Sequence, residues 1–169
     1  MELREKFPSH IFYSVLLNVS DRVGVQSILK EYAPHMVFHA AAYKHVPMLE
    51  TQPRAAIYNN VMGTKVLAEE SVNAGIETFV LISSDKAVNP TNVMGATKRA
   101  AEYFCQNIHD ESQKTQFITV RFGNVLDSAG SVIPLFRKQI ELGGPVTVTH
   151  PDIIDFIYQR RSCDFRMQP

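Results

Sequence analysis

Short apolar runs alternate with helix-like segments along the chain, and this alternation constrains the fold more than any other feature. The strand-like runs cover residues 11–17, 36–40, 78–82, 117–121 and 146–148. The segments between them have apolar residues at helical spacing, over residues 21–32, 53–74, 93–110 and 132–142. Continuous apolar strands separated by helices are typical of a parallel sheet covered on both faces. The pattern therefore predicts an α/β fold with an open, doubly wound parallel sheet.

Residue types also predict where the helices end and which side chains form the core. Ser20 is predicted to cap the first helix, which Pro34 closes. Pro53 suits the first turn of the long second helix, and Gly75 suits its C-terminal end. The residues expected in the core of the sheet are Phe38, Val80, Leu81, Ile82, Ile118 and Val120.

Charge and cysteine content argue against several classes of protein. Lys plus Arg and Asp plus Glu both number 17 in the 169 residues, so a nucleic-acid binder that relies on bulk phosphate attraction is not expected. Two cysteines, Cys105 and Cys163, are too few for a disulfide framework and favour the reducing cytoplasm. His39 and His45 lack a third ligand nearby, so no metal site is expected. No apolar run approaches the roughly 18 residues of a membrane span.

Ligands of such sheets bind beyond the carboxyl ends of the strands, which directs attention to three segments. Small residues at 40–42 follow one strand, where they either admit a flat ligand or pack against a helix. Another strand is followed by the hydroxyl of Ser84, the carboxylate of Asp85 and the amine of Lys86. The last two are either an acid and a base within reach of one substrate or a solvated ion pair. Met94 and Lys98 lie four apart on one helix face, as part of a site or as a core methionine beside a surface lysine.

Together these segments resemble one family. Residues 84–99, with the sequence Ser-Asp-Lys-Ala-Val-Asn-Pro-Thr-Asn-Val-Met-Gly-Ala-Thr-Lys-Arg, are similar to the NAD-dependent UDP-N-acetylglucosamine 4,6-dehydratases of the polysaccharide-biosynthesis (capsule and flagellin-glycan) family. That family belongs to the extended short-chain dehydrogenase/reductase superfamily, whose signature is Tyr-x-x-x-Lys, and Met94 stands where the tyrosine is expected. Further matching segments are residues 39–47, 59–64, 121–126 and 143–152.

The resemblance implies a reaction and a set of residues. In the family, C4 of the sugar is oxidised by hydride transfer to NAD, water leaves across C5 and C6, and the hydride returns to C6. By resemblance Asp85 would be the acid and Lys86 the base, with the roles open to interchange. The catalytic residues implied are Ser84, Asp85, Lys86, Met94 and Lys98. Those implied for the cofactor are Ala40, Ala41, Ala42, Lys44, Asn60, Ser83 and Lys98, and those for the substrate are His45, Arg121, Asn124 and Val125.

The resemblance further implies a UDP-sugar substrate, a homo-oligomer and a bacterial cytoplasmic location. Met94 has no O–H group, so the C4 hydroxyl proton would pass to Asp85, Lys86 or a water. We expect Ser84, Asp85, Lys86, Met94 and Lys98 to share one cleft at the carboxyl ends of the strands.

The sequence also departs from the family pattern. It contains no Gly-x-Gly-x-x-Gly, the turn with which the family holds the NAD pyrophosphate. Residues 1–152 are therefore expected to form a partial Rossmann-like NAD-binding domain without the first β-α-β unit. Residues 153–169 are expected to form an aberrant tail in place of the C-terminal substrate lobe. The alternatives are a non-catalytic remnant that oligomerises, and a nucleotide-sugar epimerase or reductase of the same superfamily.

Overall fold

A three-stranded parallel sheet organises the protein. The computed structural model describes residues 5–111, 114–125, 132–147 and 157–158. The strands are β1 (Met36–His39), β2 (Thr78–Ser84) and β3 (Gln116–Phe122), in that spatial order. Phe38 lies beside Val80, and Val80 beside Ile118, in a parallel register. A separate parallel pair joins β4 (Asn124–Val125) to β5 (Ile157–Tyr158). The predicted α/β class with a parallel sheet is confirmed.

Helices connect these strands as the periodicity predicts. They are α1 (Arg22–Tyr32), α2 (Val46–Thr51), α3 (Pro53–Ala56), α4 (Gly63–Asn73), α5 (Val93–Glu111) and α6 (Val132–Glu141). A π-helical turn (Ile57–Met62) joins α3 to α4, so the predicted long helix is continuous but not regular. Gly75 follows its last turn with φ of +71°, the left-handed conformation that the predicted C-terminal role requires.

Two local predictions about helices are wrong by small margins. The cap of α1 is Asp21, whose carboxylate accepts a hydrogen bond from the Gly24 amide at 3.2 Å. The Ser20 hydroxyl bonds Asn18 instead, at 2.8 Å. Residues 46–51, outside every predicted helical segment, form α2, because proline is favoured in the first turn of a helix, where its missing N–H is not needed.

The core lies between one face of the sheet and the helices that cover it. Phe79 and Leu81 of β2 pack against Ala68 of α4 and against Ala101 and Cys105 of α5. A second cluster brings α1 onto α4, and its buried members are Val25, Leu29, Val66 and Ile76. The first cluster fixes α4 and α5 against β2, the strand that leads into the predicted site, and the second holds α1 on α4.

The predicted core residues are only partly confirmed. Val80, Leu81 and Val120 are buried, and Ile82 and Ile118 are half-buried. Phe38 is 68% exposed, so its prediction as a core residue is wrong. Phe38 belongs to β1, an edge strand of the sheet, and strand alternation points it to the face opposite Val37, which packs against the helix-covered core. An apolar residue in an edge strand is thus not necessarily a buried one.

Two predicted strands are not formed as expected. Residues 11–17 lie outside any strand, and Ile11, Tyr13 and Leu16 are exposed. A strand needs a neighbouring strand to accept and donate its backbone hydrogen bonds, and β1 pairs only with β2 within the described residues. Residues 146 and 147 of the predicted last strand are likewise outside a strand, and Val148 lies outside the described residues.

Candidate active site

Strand β2 ends in a tight polar turn that carries the predicted acid and base. Ser84 caps the 3-10 turn Asp85–Ala87 by accepting a hydrogen bond from the Lys86 amide at 3.2 Å. Its hydroxyl donates to Asp85 Oδ1 at 2.9 Å, and the same oxygen accepts from the Lys86 amide at 2.8 Å. The Lys86 ammonium lies 3.4 Å from Asp85 Oδ1, and both side chains retain partial exposure. The turn therefore presents a carboxylate and an amine side by side to the exterior.

Lys98 approaches this turn from α5. Its ammonium donates to the carbonyl of Ile82 at 2.8 Å, which places it at the carboxyl end of β2. Lys98 is only 9% exposed. Burial lowers the pKa of Lys98, and the negative charge of Glu102 opposes that lowering. The structure thus brings Lys98 to the strand end that continues into Ser84, Asp85 and Lys86.

Met94 lies in different surroundings. It occupies the first turn of α5 and is 5% exposed. Its side chain packs into an apolar cluster with Leu49 of α2 and Ala56 of α3. This environment is that of the core methionine considered as the alternative, and a catalytic part for Met94 stays a prediction.

Asn60 holds the loop after β1 against α5. It is buried in the π-helical turn, and its Oδ1 accepts from the Tyr43 amide at 2.8 Å. Its Nδ2 donates to the Tyr43 carbonyl at 3.1 Å and to Thr97 Oγ1 at 3.0 Å. Since Thr97 precedes Lys98, Asn60 connects the β1 loop to the helix that carries the site lysine.

The loop after β1 contains the small residues predicted to line a cofactor channel. Ala40 and Ala41 are exposed, as are Lys44 and His45, and Ala42 is half-buried. Exposure alone does not distinguish a ligand-binding segment from a solvated loop, and a part for these alanines in cofactor binding stays a prediction.

His39, just before that loop, is a buried neutral base. Its Nε2 bonds Thr64 Oγ1 at 2.8 Å, and because the Thr64 hydroxyl donates to the Asn60 carbonyl, His39 is the donor. Burial, together with the positive charge of Lys98, lowers the pKa of His39 to about 4. The His39–Thr64 hydrogen bond ties the end of β1 to α4.

Arg121 at the end of β3 is paired with a carboxylate that sequence reasoning missed. Its guanidinium makes a two-pronged contact with Glu102, from Nε to Oε1 at 2.9 Å and from Nη2 to Oε2 at 2.7 Å. Arg99 also donates to Glu102 at 3.1 Å. Burial raises the pKa of Glu102, but hydrogen bonds, the largest from Arg121, and the positive charge of Arg121 outweigh it, so the pKa is lowered. The available signal was the spacing, since Glu102 lies one turn beyond Lys98.

Three further predicted residues have less defined positions in the site. Ser83 is buried at the end of β2, beside Arg121 in the sheet register. Asn124 and Val125 form β4, two residues beyond β3. Their place in the chain keeps them near the carboxyl end of β3, and their contact with substrate stays a prediction.

The described part of the chain shows neither a metal cluster nor a membrane span. Within it, no group of three His, Cys, Asp or Glu side chains is arranged to hold a metal ion. None of the described helices combines the length and the apolar character needed to cross a membrane.

Comparison with known proteins places this geometry in a family context. The sequence model of a family described as polysaccharide biosynthesis protein matches residues 1–165. The probable polysaccharide biosynthesis protein EpsC of Bacillus subtilis is 58% identical over 151 residues, which are 89% of this chain and 25% of EpsC. The crystal structure of Pen from Bacillus thuringiensis is 34% identical with a TM-score of 0.82, over 94% of this chain and 49% of Pen.

Two relatives with named reactions match as well. A UDP-glucose 4-epimerase of Rickettsia rickettsii is 41% identical over 123 residues, 72% of this chain and 36% of the epimerase. A UDP-N-acetylglucosamine 4,6-dehydratase (inverting) of Campylobacter jejuni is 33% identical over 153 residues, 88% of this chain and 45% of the dehydratase. The chain spans between a quarter and a half of the length of these proteins.

Proposed function

The chain belongs to the polysaccharide biosynthesis protein family, and on that premise we propose that it carries part of the active site of a nucleotide-sugar 4,6-dehydratase. The observation that supports this most is the Asp85–Lys86 pair, held in one turn at the carboxyl end of β2. Removal of water across C5 and C6 needs a base for the C5 proton and an acid for the C6 hydroxyl. A carboxyl and an amine on adjacent residues supply both on one side of the sugar.

The residues of this chain divide the steps as follows. Lys86 takes the proton from C5 and Asp85 gives one to the departing C6 hydroxyl, or the two exchange these roles. Ser84 hydrogen-bonds the oxygen at C4. The thioether of Met94 exchanges no proton, so the proton of the C4 hydroxyl goes to Asp85, Lys86 or a water. UDP-N-acetylglucosamine is the proposed substrate, with Arg121, Asn124, Val125 and His45 on the substrate side.

NAD, if bound, would supply the acceptor for the hydride from C4 and the donor of the hydride to C6. The residues after β1 and β2 fit the nicotinamide end of that cofactor. Ala40 and Ala41 are exposed and carry no bulk beyond Cβ, and the buried Lys98 ammonium supplies donors for ribose hydroxyls. For the phosphates of the cofactor no such fit is found, because the sequence contains no Gly-x-Gly-x-x-Gly to bind them.

The test uses a chimera in which this chain replaces the matching region of EpsC. With NAD and UDP-N-acetylglucosamine in deuterated water, we expect a 4-keto product that has lost one water. Lys86→Ala should abolish that product while NAD binding persists. Lys65→Ala is the matched control, because Lys65 is a partly exposed lysine paired with Glu69 on α4. Equal turnover by Lys86→Ala and Lys65→Ala would refute the assignment.

The second candidate is an epimerase, favoured by the identity to the Rickettsia enzyme. The same assay separates the two, because epimerisation inverts C4 without loss of water. A non-catalytic remnant, the third candidate, would give neither product. We further propose a cytoplasmic protein that assembles as a homo-oligomer and, if it is either enzyme, acts in surface polysaccharide synthesis.

A further inference from the structure

Gly95 is the point where the backbone of α5 touches the backbone of the Asp85–Ala87 turn. A Cβ atom placed on Gly95 would lie 2.2 Å from the carbonyl oxygen of Lys86 and 3.1 Å from its carbonyl carbon. It would also lie 3.2 Å from Cβ of Pro90. Since an oxygen and a carbon in contact sit more than 3 Å apart, about 3.3–3.6 Å even in C–H···O contacts, no side chain fits there unless the backbone moves.

Both partners in this contact are anchored from other directions. The start of α5 is fixed by Glu50, whose Oε1 accepts from the Val93 amide at 2.6 Å, and by Asn92, whose Oδ1 accepts from the Gly95 amide at 2.8 Å. The turn is fixed by its Ser84 cap and by the Val88 amide, which donates to the Asp85 carbonyl at 2.9 Å. Neither element can therefore retreat freely, and the close approach depends on the missing side chain.

We propose that Gly95 is a positioning residue, whose lack of a side chain lets the turn bearing Asp85 and Lys86 seat directly on the helix bearing Lys98. This inference rests on the proposed function, which makes Asp85 and Lys86 the acid–base pair. Any larger residue at 95 displaces the turn outward and moves the pair relative to the Lys98 ammonium, which stays tied to β2 through Ile82. The strand and the helix remain in place.

If Gly95 did not allow this close approach, its replacement by alanine would be expected to stabilise the protein. Gly95 lies within a helix, where replacement of glycine by alanine ordinarily stabilises the protein because alanine loses less backbone entropy. Gly63 provides the matched control, since it is also helical and its nearest neighbour is the end of a side chain, Val19 Cγ2 at 2.8 Å. A valine methyl can move aside, whereas the Lys86 carbonyl cannot without moving the turn.

The experiment compares Gly95→Ala and Gly63→Ala in the full chain by amide NMR and hydrogen exchange. For Gly95→Ala we expect shifted amide resonances at Lys86, Ala87 and Val88, and exchange of the Val88 amide faster by about tenfold. The Leu81 amide of β2 should stay unchanged. Gly63→Ala should leave the turn resonances in place. Unshifted turn resonances in Gly95→Ala, or a higher melting temperature with an intact turn, overturn the proposal.

A measurement on the unmodified chain keeps the proposal decidable if Gly95→Ala does not fold. The close approach puts one Gly95 α-proton against the Lys86 carbonyl oxygen, as in a C–H···O contact. That proton should therefore resonate downfield of the Gly63 α-protons, and an unshifted resonance overturns the proposal. These readouts need neither NAD nor a sugar. A displaced turn together with a negative dehydratase assay would therefore refute the proposed function and leave the positioning role of Gly95 standing.

Discussion

His39 and Lys98 are neighbouring ionisable side chains inside the protein, and burial acts on both in the same direction. Each has a pKa below its ordinary value, because a low-dielectric environment disfavours the charged form. The electrostatic surroundings differ, since Lys98 has Glu102 as a counter-charge whereas His39 is opposed by Lys98. The arrangement keeps His39 neutral beside a lysine that retains a compensating carboxylate.

The lowered pKa of His39 predicts that acid destabilises the fold. Between pH 6.5 and about 4, His39 is protonated in the unfolded chain but stays neutral in the folded chain. The free energy of unfolding is therefore highest above pH 6.5 and falls as the pH is lowered through that window. The loss reaches about 3 kcal/mol at most. Urea unfolding at several pH values measures it. His39→Gln should lose this part of the pH dependence, whereas His35→Gln, at an exposed histidine, should retain it. Identical pH profiles for both variants would contradict the prediction.

Glu102 is expected to contribute more to the stability of the fold than Glu69, a more exposed carboxylate on α4. Its side chain is 6% exposed and compensates Arg121 and Arg99, so Glu102→Ala leaves a partly buried guanidinium unpaired. Removal of one partner from a buried ion pair costs about 3 kcal/mol. Glu69→Ala removes a partner of Arg22 at a more exposed site and should cost less than about 1 kcal/mol. Urea unfolding of the two variants gives the comparison, and equal losses would show that Glu102 is not an internal counter-charge.

At the scale of elements, β2 and α5 could be predicted well from sequence. The uniformly apolar run before Ser83 predicts a strand, and the helical spacing after Asn92 predicts a helix. Both elements form, with ends within a few residues of those expected. Their meeting at Lys98 followed from the rule that ligands bind at the carboxyl ends of parallel strands. The candidate acid and base could thus be found before the structure was known.

Other elements depend on contacts that sequence patterns do not contain. The π-helical turn Ile57–Met62 keeps the overall helical direction, so residue spacing does not show the irregularity that places Asn60 toward Tyr43 and Thr97. Residues 11–17 have strand composition but lack a neighbouring strand within the described residues. The Gly95 contact joins two backbones, and no side-chain pattern encodes it.

Asn60 supports the joint between the π-helical turn, the β1 loop and α5, so its removal should loosen all three. Asn60→Ala removes the hydrogen bonds of a buried side chain to the Tyr43 backbone and to Thr97, which together are worth about 1–3 kcal/mol. We expect faster amide exchange at Tyr43 and a stability loss in that range. Asn59→Ala, which removes a half-buried side chain that donates to Asn60 Oδ1, should have a smaller effect. Unchanged exchange at Tyr43 in Asn60→Ala would show that the loop is held otherwise.

At the scale of the whole molecule, the chain carries the proposed acid–base residues but lacks the sequence motif that binds the phosphates of a dinucleotide. Asp85, Lys86 and Lys98 are positioned by a sheet and a helix that pack together through buried side chains. The glycine turn that gives backbone amides to a pyrophosphate is absent from the sequence. On the proposed function, the chain carries residues for the nicotinamide end of the cofactor, whereas its sequence has no Gly-x-Gly-x-x-Gly for the phosphates.

The last prediction follows from that imbalance, and it is that the 169-residue chain binds NAD weakly or not at all. Each charge-assisted hydrogen bond that a glycine turn would supply is worth about 1.5–3 kcal/mol, and loss of several reduces affinity by orders of magnitude. Calorimetric titration with NAD measures this, with the EpsC chimera as the positive control. Nicotinamide riboside, which lacks the pyrophosphate, should bind the chain and the chimera about equally. Micromolar binding of NAD by the chain alone would mean that residues after β1, such as Lys44, hold the phosphates instead.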